Sequence, residues 1–336
     1  MEIILSDRPA GVNRKTPPGS PAYLTSRRAS VIQVQPIMKE AWTEFGFQDI
    51  RCEAPADWDP THIEGTYEKG YVRLDDPRTP RLEIRWERPN RRVLLARTID
   101  NHIKLVSKEA RKQKRDLRVQ RDLDIARLPF AETEFFSYKN HVEAVGLATR
   151  CGECGRVLIL RVFGGTSGGS LRATAARIFQ SLRDHPVEGR SCWSLYGFRF
   201  DVPEEFRLAS FDLKTGRLQF DFMHKWSHIT VAHAALASLV LKERTLEQWR
   251  EQAMPKLFRG FVVKGREEEF RGHESVLFTG RQSLRVRLTR LMLRPLFLHC
   301  RLWRCPTSDK IYVFRVEGRE KDKNALEKCV DLVYCH

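Results

Sequence analysis

The sequence predicts an α+β protein: two tandem copies of an antiparallel sheet flanked by helices, preceded by a flexible N-terminal arm. Three observations predict it. Short segments alternate apolar and polar residues with a period of two, as half-buried strands do. Other stretches carry apolar residues at three- and four-residue steps, as amphipathic helices do. Finally, a series of segments from the first half of the chain returns in the same order in the second half.

The series opens with Trp42-Thr-Glu-Phe-Gly-Phe47, answered by Trp193-Ser-Leu-Tyr-Gly-Phe198. Cys52-Glu-Ala-Pro55-Ala-Asp-Trp58 corresponds to Phe200-Asp-Val-Pro203-Glu-Glu-Phe206, and Gly70-Tyr-Val-Arg-Leu74 to Gly216-Arg-Leu-Gln-Phe220. Thr98-Ile-Asp-Asn-His102 corresponds to Thr245-Leu-Glu-Gln-Trp249, Asn140-His141 to Gly272-His273, and Leu160-Arg-Val-Phe-Gly164 to Phe314-Arg-Val-Glu-Gly318. The copies span about 41–186 and 192–336, with a short linker around His185-Pro186-Val-Glu-Gly189. A length of 336 residues suits two domains of about 150 each.

Residues 1–40 form the arm, because Pro17-Pro-Gly-Ser-Pro21 and Ser26-Arg-Arg-Ala-Ser30 are polar and rich in helix and strand breakers. Leu82–Trp86, Val142–Ala148, Val157–Phe163, Arg199–Val202 and Leu218–Phe222 read as strands, with Lys214-Thr-Gly216 as a hairpin turn. The first helix carries Ile99, Ile103, Val106, Ala110 and Leu117 as its apolar stripe, with Thr98 as N-cap; Thr245 caps its counterpart. Helices around 170–184 and 321–335 close the copies. Strands, helix, strands, helix with short links make an antiparallel α+β arrangement.

The aromatic-Gly-Phe hairpin, the x-Val-Pro-Glu-x-aromatic step, the Gly-led strand and the closing helix resemble the PsbP/Mog-type domain. That family includes a photosystem II extrinsic subunit and a Ran-binding nuclear import factor. The resemblance covers both copies and implies macromolecular binding rather than catalysis. It transfers no binding residue.

The charge balance favours an anionic partner: 59 Lys+Arg against 43 Asp+Glu give +16. Eight cysteines are too few for a disulfide scaffold. No stretch reaches the roughly 20 apolar residues of a membrane span, and the first residues lack the order of a secretory signal. A cytoplasmic location is the resulting expectation.

Cys151-Gly-Glu-Cys154-Gly155 can present two thiolates to one zinc, which needs two further ligands. Repeat logic supplies Cys300 and Cys305, with His299 beside them. A redox dithiol and unligated hairpin cysteines are the alternatives, and no other cofactor is expected. The Gly164–Ser170 link lacks the Lys-Ser/Thr of a phosphate-binding loop. His141 and His273 hold matching places but have no partner at catalytic spacing, and Glu267–Glu269 reads as a solvated face.

Two basic features are candidate contact surfaces. The first helix carries Lys104, Lys108, Arg111, Lys112, Lys114, Arg115 and Arg118 opposite its apolar stripe. The second copy carries an Arg-rich insertion at about 281–299, and no Asp or Glu lies between Glu274 and Asp309. Its arginines, Arg281, Arg285, Arg287, Arg290 and Arg294, are followed by Arg301 and Arg304. Alternation of Leu284, Val286 and Leu288 with Arg285, Arg287 and Thr289 predicts a strand with guanidinium groups on one face. Solvated arginines over a packed apolar side are the alternative. The favoured reading is a non-enzymatic interaction or adaptor protein that binds a protein or other anionic macromolecule. A nucleic-acid-binding protein comes second, and an enzyme with an interdomain pocket third.

Overall fold

The opening hairpin forms as its sequence predicts: β1 (Trp42–Phe47) pairs antiparallel with β2 (Ile50–Pro55), and Gln48 and Asp49 make the turn at positive φ. The computed structural model describes residues 41–91, 93–165, 170–289 and 295–336. The N-terminal arm, residues 166–169 of the glycine-rich link, and Arg290 and Arg294 lie outside the described residues.

Three strands follow, β3 (Asp59–Gly65), β4 (Lys69–Asp75) and β5 (Pro80–Glu87), then helix α1 (Leu95–Lys112). Strands β6 (Arg118–Arg121), β7 (Glu132–Lys139), β8 (Glu143–Arg150) and β9 (Val157–Phe163) lead to α2 (Leu171–Ser181). The second half opens with the hairpin β10 (Arg190–Leu195) and β11 (Phe198–Pro203). It continues through β12 (Arg207–Lys214), β13 (Arg217–His224) and β14 (Ser227–Ala235). Helices α3 (Ala237–Val240) and α4 (Leu246–Ala253) precede β15 (Phe261–Phe270) and β16 (His273–Gln282). After α5 (Leu284–Thr289) come β17 (Phe297–Cys305), β18 (Lys310–Gly318), α6 (Lys323–Glu327), a 3-10 segment at Lys328–Leu332 and β19 (Val333–Tyr334).

These strands make three antiparallel sheets. Two have seven strands, ordered β3-β4-β5-β9-β8-β7-β6 and β12-β13-β14-β18-β17-β16-β15, so each follows the same path. The third, β19-β11-β10-β1-β2, joins the two opening hairpins through Gly46 and Ser194. A Cβ at Gly46 would sit 3.0 Å from the Cys192 carbonyl oxygen, so glycine permits this close strand approach.

The expected sheets flanked by helices are therefore corrected to three antiparallel sheets with few helices. The reason lies in what covers the apolar faces. One buried cluster runs through all three sheets, with Phe47 meeting Trp86, Trp193 and Phe211 at ring distances of 6.1, 5.3 and 5.8 Å. The inner faces of both seven-stranded sheets thus meet the opening hairpins in one shared core. On the outer faces α1 lays Ile99 against Phe136 and Tyr138, and α4 lays Leu246 and Trp249 against Phe278 and Leu302, while α2 enters the shared cluster with Ala175, Ile178 and Phe179.

Local corrections have local causes. Thr245 caps α4 in a reciprocal capping box with Gln248. Helix α1 instead starts a turn before Thr98, whose hydroxyl donates to the Leu94 carbonyl. The helix expected at 321–335 is a short α6 and a 3-10 segment, because Val333 and Tyr334 pair with Phe200 and Arg199 of β11. The strand expected over 284–289 is helix α5.

Candidate functional site

Beyond α2, Arg183 exchanges two backbone hydrogen bonds with Arg51 of β2. The next two residues, Asp184 and His185, then reach the turn between β8 and β9. That turn is Cys151-Gly-Glu-Cys154, closed by the Cys151 amide donating to the Arg156 carbonyl. One donor atom from each of Cys151, Cys154, Asp184 and His185 lies within 4.8 Å of the others. Cys151 Sγ is 2.7 Å from His185 Nε2 and accepts from the Glu153 amide at 3.3 Å. The Cys154 thiol faces Asp184 Oδ2 at 3.7 Å. The other Asp184 oxygen pairs with Arg156, and both side chains are completely buried. Arg156 also donates to the Gln48, Tyr67 and Asp184 carbonyls, which spends its charge inside the protein.

The second half repeats this arrangement with other donors. Val333 and Tyr334 pair with β11, and Cys335 and His336 then reach the turn between β17 and β18. There they meet Cys305 and, from the start of β16, His273; one donor atom from each of the four lies within 4.8 Å of the rest. His336 Nδ1 is 3.3 Å from both Cys305 Sγ and Cys335 Sγ, and His273 Nε2 is 3.5 Å from Cys335 Sγ. The Tyr312 hydroxyl donates to the Cys335 carbonyl and Arg271 to that of Val333, fixing this segment from both sides.

The two clusters differ electrostatically. Burial, Asp184 and Cys151 push the Cys154 thiol up to about 11. Burial also acts on Cys305, but hydrogen bonds from Ser308, His336 and Cys335 outweigh it and bring this thiol down to about 7. All eight cysteines are free thiols.

The cysteine set expected from sequence is rearranged. Cys151 and Cys154 do share one cluster, whereas Cys305 belongs to the other. Cys300 joins neither: it is completely buried on the outer face of its sheet, among Leu298, Leu302 and Val313, and burial pushes its thiol up to about 12. It lies five positions before Cys305, and an odd spacing along a strand points two side chains to opposite faces. His299 pairs with Glu327 at 3.0 Å. His141 and His273 do not hold matching places, since His141 is exposed in the β7–β8 turn. Sequence reasoning missed Asp184, His185, Cys335 and His336. The signal was present: Asp184-His185 and Cys335-His336 each follow the closing helical segment of their half.

The basic residues divide as well. On α1, Lys104, Lys108, Arg111, Lys112 and, just beyond it, Lys114, Arg115 and Arg118 are all exposed. Lys112 reaches Glu109 at 3.7 Å and Arg115 donates to Gln113. Among the described residues Lys104, Lys108 and Arg111 form no ion pair. Arg281 and Arg285 are exposed and Arg287 is half-buried. Arg301 pairs with Glu268 at 2.6 Å and lies over the Phe270 ring.

The surface also carries several grooves, among them two lined in part by histidine. One, of about 850 Å³, lies between α1 and strands β4 and β5, and is lined by Tyr71, Trp86 and His102. The other, of about 510 Å³, is lined by His273 and Glu247, Glu267, Glu269 and Glu274. His141 lines neither. No helix among the described residues is long and apolar enough to cross a membrane.

Together these features define an antiparallel three-sheet protein with two cysteine- and histidine-bearing turn clusters. No family model and no curated protein matches the chain. Solved structures that match include the immunity protein TplEi of T6SS from Pseudomonas aeruginosa, at 11% identity and a TM-score of 0.32, over 87% of this chain and 96% of that one. The Tle4–Tli4 complex matches at 11% identity and a TM-score of 0.27, over 88% of this chain and 97% of that one. The Saccharomyces cerevisiae Ran-binding protein Mog1p matches at 12% identity and a TM-score of 0.27, over 42% of this chain and 83% of that one.

Proposed function

We propose that the chain is a non-enzymatic protein-binding module that offers the cationic side of α1 to an acidic partner protein. The observation that carries this reading is the partition of α1. Its apolar stripe is spent on the sheet, while Lys104, Lys108, Arg111 and Lys112 stand in solvent on the other side. A chain of +16 adds a long-range field of the same sign, which speeds encounter with an acidic surface. Residues 41–186 and 192–336 are in this reading two copies of one unit, supported by the equal strand orders of the two large sheets.

The test is native co-purification with the unaltered chain and with a Lys108→Glu/Arg111→Glu/Lys112→Glu variant. An acidic protein retained by the first, weakened by salt and lost from the second supports the reading. Equal retention by both removes α1 as the contact surface, and retention of nucleic acid in place of protein moves the chain to the nucleic-acid class.

A further inference from the structure

We propose that each of the two turn clusters holds one zinc-class divalent ion, the first on Cys151, Cys154, Asp184 and His185, the second on His273, Cys305, Cys335 and His336. The inference goes beyond the protein-binding reading and does not depend on it.

Donor chemistry is the first support. Two thiols with two imidazoles, or with one imidazole and one carboxylate, are the ligand types of tetrahedral zinc, and sulfur favours zinc over the harder magnesium and calcium. Geometry is the second. Zinc lies about 2.3 Å from sulfur and about 2.0–2.1 Å from nitrogen, so a tetrahedral sulfur-to-nitrogen edge measures roughly 3.5 Å. In the second cluster the three such edges around Cys335 and His336 measure 3.3, 3.3 and 3.5 Å, whereas the Cys151–His185 edge of the first measures 2.7 Å and must open to admit the ion. The His273 and His336 rings stand nearly perpendicular, at 86°, so each can aim a nitrogen at one point without stacking.

Surrounding groups are the third support. Structural metal sites rely on outer partners that hold the ligands in place. Arg156 holds one Asp184 oxygen and leaves the other facing Cys154, while the Glu153 amide points at Cys151 Sγ. In the second cluster Tyr312 fixes the Cys335 carbonyl. Position is the fourth. Both clusters join the turn between the corresponding strands, β8–β9 and β17–β18, to the two residues that follow an edge pairing with β2 or β11. Two different donor sets at one topological position are hard to assign to chance packing of cysteines.

Binding releases the thiol protons to solvent as the cysteines become thiolates, with no change of oxidation state. Its consequence is a cross-link. Each ion ties a hairpin turn to the segment that closes its half, and in the second half it secures β19 against β11.

The test uses the full chain, purified without chelator. Elemental analysis should find two zinc ions per chain. Cys154→Ser and Cys335→Ser should each retain one, and the double variant none. Cobalt(II) added to the chelated unaltered chain should produce tetrahedral thiolate absorption up to two equivalents, which keeps the proposal testable where a variant fails to fold. Hydrogen exchange at residues 333–334 should speed up on chelation. One ion or none by both metal measurements overturns the proposal. So does retention of both ions in either variant, or a disulfide between Cys151 and Cys154 or between Cys305 and Cys335.

Discussion

The β8–β9 turn and the β17–β18 turn occupy the same place in their sheets, yet they are built from different residues. The first supplies Cys151 and Cys154, and the residue after the edge pairing is Asp184; the second supplies only Cys305, with Cys335 after the edge pairing and His273 added from β16. Behind the first, Arg156 is completely buried and neutralised by Asp184. Behind the second, Lys310 reaches out to the Gly197 carbonyl. The fold determines where a turn, an edge segment and a strand start converge. Which donors stand there varies between the halves.

The comparison breaks most visibly at the buried ion pair. In the chelated chain, Arg156→Met should cost about 3–5 kcal/mol, because Asp184 is left as a buried charge without its partner. Lys310→Met should cost about 1 kcal/mol or less, the value of one partly exposed hydrogen bond. Chemical denaturation of the two variants measures both, and equal costs would mean the halves are braced alike.

Acid should separate the halves next. Burial lowers His233 to about 3 and His102 to about 4. A histidine held below its ordinary value of about 6.5 takes up its proton less readily when folded. The unfolded chain therefore binds more protons below that pH, and stability rises with pH across the window. Each histidine's contribution is complete above about pH 6.5 and is lost as the pH falls toward its folded value, at up to about 1.4 kcal/mol per pH unit. His233→Phe should flatten the acid limb of the stability profile further than His102→Phe, since its window extends lower. Thermal melts from pH 7 to 3 report the slopes, and the two variants should part below about pH 4.

Cys300→Ser sharpens the distinction between ligand and core. The substitution would place a polar hydroxyl in the completely buried cluster with Leu298, Leu302 and Val313, at a cost of about 1–3 kcal/mol. Metal content should stay unchanged, whereas a loss of metal would place Cys300 within reach of a cluster. The smallest contrast concerns helix starts. Thr245→Ala should cost about 1 kcal/mol by removing the capping box of α4. Thr98→Ala in α1 should change stability by less than about 0.5 kcal/mol, because its hydroxyl caps no helix end. Denaturation midpoints compare the pair.

Much of this was legible in the sequence. Period-two alternation marked β5, β11 and β13, Thr245 marked the start of α4, and the cationic side of α1 followed from the places of its lysines and arginines. Such features are local, since a residue's neighbours within a few positions determine which way it points. The alternation of Arg285 and Arg287 with apolar residues misled for the same reason: six residues satisfy a strand and a helix equally well until packing selects one. Strand parity alone would have parted Cys300 from Cys305, had the strand's extent been known.

What only the tertiary structure decided is long-range. Nothing within a few positions of Gly46 says that the two opening hairpins join edge to edge, so that all three sheets share one core. Nothing near Cys305 says that His273 and the Cys335-His336 pair come to it. Those meetings depend on strand order and on β19 pairing with β11, and pairing between distant strands is decided by how the whole apolar surface is buried.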